Sequence, residues 1–171
     1  MAERHLLLFR HAKAERATPG QPDRDRALTK RGRRDAEAVG AILAKRGLAP
    51  DRVLLSPALR TVTSWEIMRT LADKDCDVRI LDALFDNAQG YPPLIRAEGG
   101  DANRLLVVGH NPFIQDAAIR LSDDRTSRDA KAIADHVPTA GLAILSFDGE
   151  WRTLGEGSMR LVAFLRPDLS R

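Results

Sequence analysis

Two short segments that are apolar at every position constrain the fold of this chain most strongly. Leu6–Phe9 and Leu105–Val108 each run for four residues without a polar side chain. A strand with one solvent-exposed face alternates apolar and polar residues, whereas a continuously apolar strand is buried on both faces. Both segments are therefore predicted to be central strands of a largely parallel sheet that lies between helices.

Further strands and helices are predicted on either side of these segments. Strands are expected at residues 4–9, 52–55, 78–81, 104–108 and 141–147. Helices are expected at residues 30–46, 57–72, 94–98 and 112–121, with another short one before Pro138. Thr29 is a candidate N-cap, and Ser56-Pro57 and Asn111-Pro112 each match an N-cap followed by a first-turn proline.

The order of these elements predicts the fold class. Asp148-Gly149 is typical of a hairpin turn, so Glu150–Leu154 is expected to return as a strand beside residues 141–147. Alternating strands and helices predict an α/β protein, a three-layer α/β/α sandwich around a mostly parallel mixed sheet. No repeat or linker divides the sequence, and residues 1–171 are expected to form a single domain.

Composition narrows the function classes. The 171 residues carry a formal net charge of +3, with acidic and basic residues interspersed. Few aromatic residues stand among the basic ones, so a nucleic-acid partner is not expected. The single cysteine, Cys76, allows no intrachain disulfide, and no segment approaches the roughly 20 apolar residues of a membrane span. We expect a cytoplasmic monomer that does not bind a membrane.

Basic side chains follow the predicted strands at the point where each strand ends. Arg10 and His11 follow the first apolar segment, and His110 follows the second after one glycine. Arg60 comes one helical turn after Ser56, which follows another strand. Because ligands of open α/β sheets bind beyond the carboxyl ends of the strands, these side chains are expected to converge. Guanidinium groups and helix N-termini favour a phosphoryl group as the ligand.

Two roles are open to the histidines in such a site. A neutral imidazole can attack phosphorus and form a phosphohistidine, which water then hydrolyses. A protonated imidazole can instead stabilise the oxygens of the transferring group. The sequence contains no cluster of acidic residues and histidines with metal-ligand spacing, so we expect neither a metal nor another cofactor.

The motifs resemble those of the histidine phosphatase superfamily, also called phosphoglycerate mutase-like, and within it the SixA-type phosphohistidine phosphatases. The residues that carry the resemblance are Leu8–Ala14, Leu28-Thr29 with Gly32, Val53–Pro57 with Arg60 and Thr63, Val107–Pro112, and Pro138-Thr139. The resemblance implies that His11 is the phosphorylated nucleophile. It also implies that Arg10, Arg60 and His110 complete the phosphate pocket.

Several further residues are candidates for the pocket lining: Lys13, Ser56, Asn111 and Thr139. Ser56 could equally be a helix cap and Lys13 a surface charge. Lys13 stands where many mutase-like relatives carry glutamate, which weighs against a sugar-phosphate mutase. Ala12 replaces the glycine most common after the Arg-His pair, a change that is tolerated if the backbone there has a negative φ.

The proton donor of the larger relatives follows the third strand, and the candidates here are Asp82 and Asp86. Both also suit loop or capping roles. An imidazole leaving group can carry its own proton, so a weak or missing donor would favour phosphohistidine as substrate.

The sequence thus predicts a metal-independent phosphatase that acts on phosphohistidine displayed by a phosphotransfer protein. One alternative is a general phosphomonoesterase of the same fold that takes small molecules or sugar phosphates. Another is a non-catalytic module that binds phosphoproteins, although pure binding does not need a nucleophile.

Overall fold

Six strands form one sheet in the computed structural model, which describes residues 3–71, 75–86 and 89–167. The strands are β1 (Arg4–Arg10), β2 (Arg52–Leu55), β3 (Asp77–Ile80), β4 (Arg104–Gly109), β5 (Leu142–Phe147) and β6 (Arg160–Leu165). The helices are α1 (Lys30–Lys45), α2 (Leu59–Arg69), α3 (Pro92–Glu98), α4 (Phe113–Leu121) and α5 (Arg128–Asp135). None of the helices in the described ranges is long and apolar enough to cross a membrane.

The sheet is mixed and mostly parallel, as predicted. Its strand order is β3-β2-β4-β1-β5-β6: the first four strands run parallel to one another, β5 pairs antiparallel with β1, and β6 pairs antiparallel with β5. In the pairing of β1 with β4, Arg10 lies opposite Gly109. His11 and His110 therefore leave the sheet side by side at its carboxyl edge.

Helices cover both faces of the sheet because alternate strand residues point to opposite sides. Leu6 and Leu8 of β1 belong to a core cluster that includes residues of α3, α4 and α5. Leu7 and Phe9 belong to a second cluster with residues of α1 and α2. All four β1 side chains are fully buried. The three-layer α/β/α sandwich predicted from the continuous apolar segments is confirmed.

The predicted return strand at Glu150–Leu154 is wrong. Residues 151–153 form a short 3-10 helix, and the antiparallel partner of β5 is β6. The physical reason is Trp151, which is fully buried and donates from Nε1 to the Ala102 carbonyl oxygen at 2.8 Å. This long-range hydrogen bond holds the segment against the core. It outweighs the local sequence pattern that predicted a hairpin.

Two of the three predicted caps are also wrong. Thr29 caps α1 by accepting from the Gly32 backbone N–H at 2.9 Å. However, Ala58 and Pro112 occupy the N-cap positions of α2 and α4, and neither Ser56 nor Asn111 caps a helix. Their side chains are engaged elsewhere, as described below. The predicted helix end at Ala72 lies outside the described residues.

Gly32 in the first turn of α1 allows the helix to lie directly against the segment that follows β1. A Cβ atom on Gly32 would come within 2.2 Å of the Lys13 carbonyl oxygen. That oxygen accepts from the Thr29 backbone N–H at 2.9 Å, so it cannot move without breaking this contact. The absence of a side chain at position 32 thus keeps the segment after His11 in place.

We predict that Gly32→Ala destabilises the protein by about 1–3 kcal/mol, despite the better helix propensity of alanine, because a backbone atom must shift. Urea unfolding measures the change. Gly155→Ala is the matched control, because a Cβ there would meet nothing within 4 Å. Equal stability of the two variants would contradict the close approach.

Candidate active site

A polar pocket of about 340 Å³ opens at the carboxyl ends of β1 and β4. Seven residues singled out from the sequence line it: Arg10, His11, Lys13, Arg60, His110, Asn111 and Thr139. Ser56 does not line the pocket but is fully buried next to it. The lining also includes residues that the sequence analysis missed: Ala14, Asp23, Arg26, Phe85 and Phe113.

His11 is held with its Nε2 atom toward the pocket. Its Nδ1 lies 2.8 Å from the Ala12 carbonyl oxygen. A carbonyl oxygen can only accept, so we place the ring proton on Nδ1 and the lone pair on Nε2. Among the described non-glycine residues, only Ala140 has a positive φ, so the backbone at Ala12 is of the kind that tolerates alanine.

His110 is held through its Nε2 atom, whereas His11 is held through Nδ1. Its Nε2 lies 2.7 Å from Ser56 Oγ, and its Nδ1 faces Arg60 Nη2 at 3.4 Å. Because a guanidinium can only donate, we place the proton on Nε2, which donates to Ser56 Oγ. This contact explains why Ser56 does not cap α2.

Arg60 lies between the two imidazoles, whose ring centroids are 5.2 Å apart. Its Nε donates to His11 Nε2 at 3.3 Å, and its Nη2 is the group that faces His110. The residue is only 5% exposed. Two guanidinium N–H groups thus lie beside the two imidazole nitrogens, so donors that suit the oxygens of a phosphoryl group stand next to the His11 lone pair.

Arg10 and Asn111 share an anchor at the other side of the pocket. Arg10 Nη1 donates to the Val137 carbonyl oxygen at 2.8 Å, and Asn111 Nδ2 donates to the same oxygen at 3.0 Å. The cis peptide bond between Asn111 and Pro112 lies here as well. The contact through Nδ2 orients the Asn111 side chain toward Val137, and its Oδ1 accepts from no backbone N–H of α4.

Burial keeps both imidazoles neutral at neutral pH. Loss of hydration is the main cause that lowers the pKa of His11 from 6.5 to about 3; the hydrogen bond to Ala12 opposes this shift, and the positive charges of the surrounding basic groups add to it. Burial likewise lowers the pKa of His110 to about 4, with Arg60 as the next cause. A neutral His11 has an unprotonated Nε2, which accepts from Arg60 Nε and is in the protonation state that a nucleophile needs.

Asp23 is the pocket residue that the sequence analysis missed most completely. It lies in a short 3-10 helix, Asp23–Asp25, in the polar segment between β1 and α1. Its Oδ2 accepts from Arg60 Nη2 at 2.8 Å, and its Oδ1 accepts from Arg26 Nη1 at 3.0 Å. The hydrogen bond from Arg26, followed by that from Arg60, lowers the pKa of Asp23, so the carboxyl group is ionised.

Tyr91 holds the backbone at His110 in place, and the sequence analysis did not predict this role either. Its hydroxyl donates to the Leu84 carbonyl oxygen at 2.7 Å and accepts from the His110 backbone N–H at 3.0 Å. A Cβ on Gly109 would come within 2.3 Å of this hydroxyl oxygen. The glycine before His110 therefore makes room for the tyrosine.

The two proton-donor candidates do not line the pocket. Asp82 accepts from Arg24 Nη2 at 2.7 Å, and its side chain is 85% exposed. Asp86 is also exposed. Within the described ranges, Asp23 is the one carboxylate in the pocket lining. The same part of the chain contains no group of three or more potential ligands that could hold a metal ion.

Comparison with known proteins identifies the family. A family model described as histidine phosphatase superfamily (branch 1) matches residues 6–90. An uncharacterized protein of Mycobacterium tuberculosis is 35% identical over 165 residues, which is 93% of this chain and 99% of the relative.

Two solved structures resemble the chain along nearly its whole length, and both proteins are provisionally assigned as the phosphohistidine phosphatase SixA. The protein from Nakamurella multipartitia is 30% identical with a TM-score of 0.83, covering 98% of each chain. The protein from Agrobacterium tumefaciens is 28% identical with a TM-score of 0.78, covering 96% of this chain and 98% of its own.

The chain therefore belongs to the histidine phosphatase superfamily. Within that superfamily it is of the SixA type. This membership supports a phosphatase activity.

The lowered pKa of His11 makes stability depend on pH. The unfolded chain binds a proton on this imidazole below about pH 6.5, whereas the folded protein resists protonation until about pH 3. The free energy of unfolding therefore falls as the pH falls below about 6.5. We predict that His11→Gln removes about 2 kcal/mol of the loss between pH 6.5 and 5, at about 1.4 kcal/mol per pH unit.

Urea unfolding of the wild type and the variant at pH 6.5 and pH 5 checks this prediction. An equal loss of stability in both proteins would show that the His11 imidazole titrates alike in the folded and unfolded states.

Proposed function

We propose that the protein hydrolyses phosphohistidine on another protein through a covalent phosphohistidine on His11. The observation that carries this proposal is the set of ionisable groups in the pocket lining: two neutral imidazoles, three guanidinium groups, one lysine and no protonated carboxyl group. Among the described lining residues the one carboxylate, Asp23, is ionised by its contacts with Arg26 and Arg60. Such a pocket binds a phosphoryl group but offers its leaving group no carboxylic acid.

In the first step, the His11 Nε2 lone pair forms a bond to phosphorus while the bond from phosphorus to the leaving atom breaks. The proton on Nδ1, fixed by the Ala12 carbonyl oxygen, directs attack through Nε2. Arg10 and Arg60 neutralise the charge on the phosphoryl oxygens. The incoming dianion favours protonation of His110 at Nδ1, the nitrogen that faces Arg60, so that this nitrogen also donates.

In the second step, water attacks phosphorus, the bond between phosphorus and His11 Nε2 breaks, and inorganic phosphate leaves. His11 returns to its starting state with the proton still on Nδ1. Each step requires that the phosphoryl group be positioned and its charge neutralised. Arg10, His11, Arg60 and His110 meet both requirements without any further group.

The leaving group distinguishes the two kinds of substrate. An alkoxide that leaves from phosphoserine needs a proton, and loss of a general acid typically costs about 10²–10⁴-fold in rate. A phosphohistidine ring carries a proton on its second nitrogen and leaves as neutral imidazole, a weak base with a pKa near 6.5 for its conjugate acid. A site that lacks a protonated carboxyl group therefore favours the phosphorus–nitrogen bond.

The surroundings of the pocket suit a macromolecular substrate. Only eleven positions separate the end of β3 at Ile80 from the start of α3 at Pro92, so no long inserted segment precedes that helix. Phe85 of this connection lines the pocket and meets His110 edge-on at 5.6 Å between ring centroids. It offers an apolar surface to an entering imidazole ring. The SixA assignment of the two similar structures supports the same substrate class.

We predict that the wild type releases phosphate quickly from a phosphohistidine-bearing phosphotransfer domain and at least about 100-fold more slowly from a phosphoserine peptide. His11→Ala abolishes both activities, because it removes the nitrogen that forms the bond to phosphorus. His136→Ala is the matched control, since His136 is an exposed histidine outside the pocket lining. Comparable turnover of the ester would indicate a general phosphomonoesterase, and binding without release would indicate a phosphoprotein-binding module.

Asp82→Asn and Asp86→Asn each are predicted to leave phosphohistidine turnover within about twofold of the wild type. Both side chains lie outside the pocket lining, and the surface ion pair of Asp82 with Arg24 contributes little. Steady-state kinetics with the phosphotransfer domain measures the effect. A loss of about 100-fold or more in either variant would identify that aspartate as the general acid.

A further inference from the structure

The guanidinium group of Arg60 has two hydrogen-bonding edges, and they face different partners. Its Nε and Nη2 form the side edge, which faces His11 and His110. Its Nη1 and Nη2 form the end edge, which faces Asp23 alone. Nη1 donates to the Asp23 carbonyl oxygen at 2.7 Å, and Nη2 donates to Asp23 Oδ2 at 2.8 Å.

Asp23 therefore holds Arg60 through both its backbone and its side chain. Two bonds in the plane of a guanidinium fix both its position and its rotation, because the five N–H groups form a rigid fork. With the end edge held, the side edge lies between the two imidazoles. The carboxylate also neutralises a guanidinium whose side chain is only 7% exposed and whose other partners in the pocket are neutral.

Asp23 is itself anchored on the side away from Arg60. Arg26 Nη1 donates to Asp23 Oδ1 at 3.0 Å, and Arg26 Nε donates to the Glu15 carbonyl oxygen at 2.8 Å. The base of the loop is closed by the Glu15 N–H, which donates to the Ala27 carbonyl oxygen at 2.8 Å. A continuous path of hydrogen bonds thus links the loop base to the phosphoryl position through Arg26, Asp23 and Arg60.

We propose that Asp23 is a positioning residue that clamps the end edge of Arg60 and so presents its side edge to two oxygens of the phosphoryl group. This inference rests on the proposed function only in taking a phosphoryl group as the ligand. Asp23 does not transfer a proton. It also does not occupy the place of the substrate, because it bonds the end edge and leaves the side edge to the pocket.

Two other roles for Asp23 make different predictions. A proton donor or base would lose its function on conversion to asparagine as completely as on conversion to alanine. A carboxylate that competes with the phosphoryl group for Arg60 would weaken anion binding, so its removal would tighten that binding. A clamp needs an acceptor for Nη2, which the asparagine side-chain oxygen supplies and alanine does not.

The test compares Asp23→Ala, Asp23→Asn and the control Asp25→Asn, an exposed carboxylate in the same 3-10 helix. Calorimetry measures the Kd for inorganic phosphate at pH 7, and phosphohistidine hydrolysis gives kcat/KM. We expect Asp23→Ala to weaken phosphate binding and lower kcat/KM by about 10-fold to 100-fold. Asp23→Asn restores an acceptor for Nη2 and should therefore recover most of that loss, with an unchanged pH profile, and Asp25→Asn should match the wild type.

Unchanged or tighter phosphate binding in Asp23→Ala would overturn the clamp, as would equal damage by alanine and asparagine. Urea unfolding verifies that each variant is folded, and the asparagine variant with its pH profile tests the proposal even if the alanine variant is not. The probe for binding is phosphate itself. Failure to hydrolyse phosphohistidine, with the expected order of phosphate affinities intact, would therefore overturn the proposed function and leave the clamp standing.

Discussion

The parallel pairing of β1 with β4 is the constraint on which the rest of the site depends. With Arg10 opposite Gly109, each strand delivers a histidine to the same edge of the sheet at the same height. The 5.2 Å separation of the two rings and the place of Arg60 between them both follow from this register. A shift of one residue would turn His110 to the other face of the sheet and separate the two imidazoles.

Burial of the two histidines then determines their protonation state. The rings are held at the carboxyl end of a sheet whose central strands are buried, so the cost of removing a charge from water keeps both imidazoles neutral. Ser56 and the Ala12 carbonyl oxygen each fix one ring nitrogen, which decides the tautomer of each ring. The fixed guanidinium groups attract an anion, and the neutral rings leave His11 Nε2 unprotonated beside them. The protein achieves this with backbone and serine partners, not with carboxylates that would weaken the attraction.

Local sequence signals predicted some parts of the molecule and not others, for identifiable reasons. Arg10 and His11 were predictable because they directly follow a continuously apolar strand, and Arg60 because helical spacing places it one turn after Ser56. Asp23 was not predictable, because it lies in a loop of alternating charges. In such a loop no helical or strand periodicity indicates which side chains meet. The return strand near Trp151 was wrong because a distant carbonyl oxygen at Ala102 anchors the indole, and no local pattern reports such a contact.

The closed base of the loop between β1 and α1 has a consequence for how such a protein can change. Its two ends are joined by the Ala14–Leu28 bridge and the Glu15–Ala27 hydrogen bond. The loop is therefore connected to the rest of the fold through this closed base. Because the entropy of closing a loop grows slowly with its length, residues can be added or removed beyond the base at small cost in stability. The loop also carries Asp23 and Arg26, so only its remaining positions can change in length or sequence without releasing Arg60. The stretch between Glu15 and Asp23 is therefore the part of this pocket wall in which a change of shape leaves the histidines and Arg60 in place.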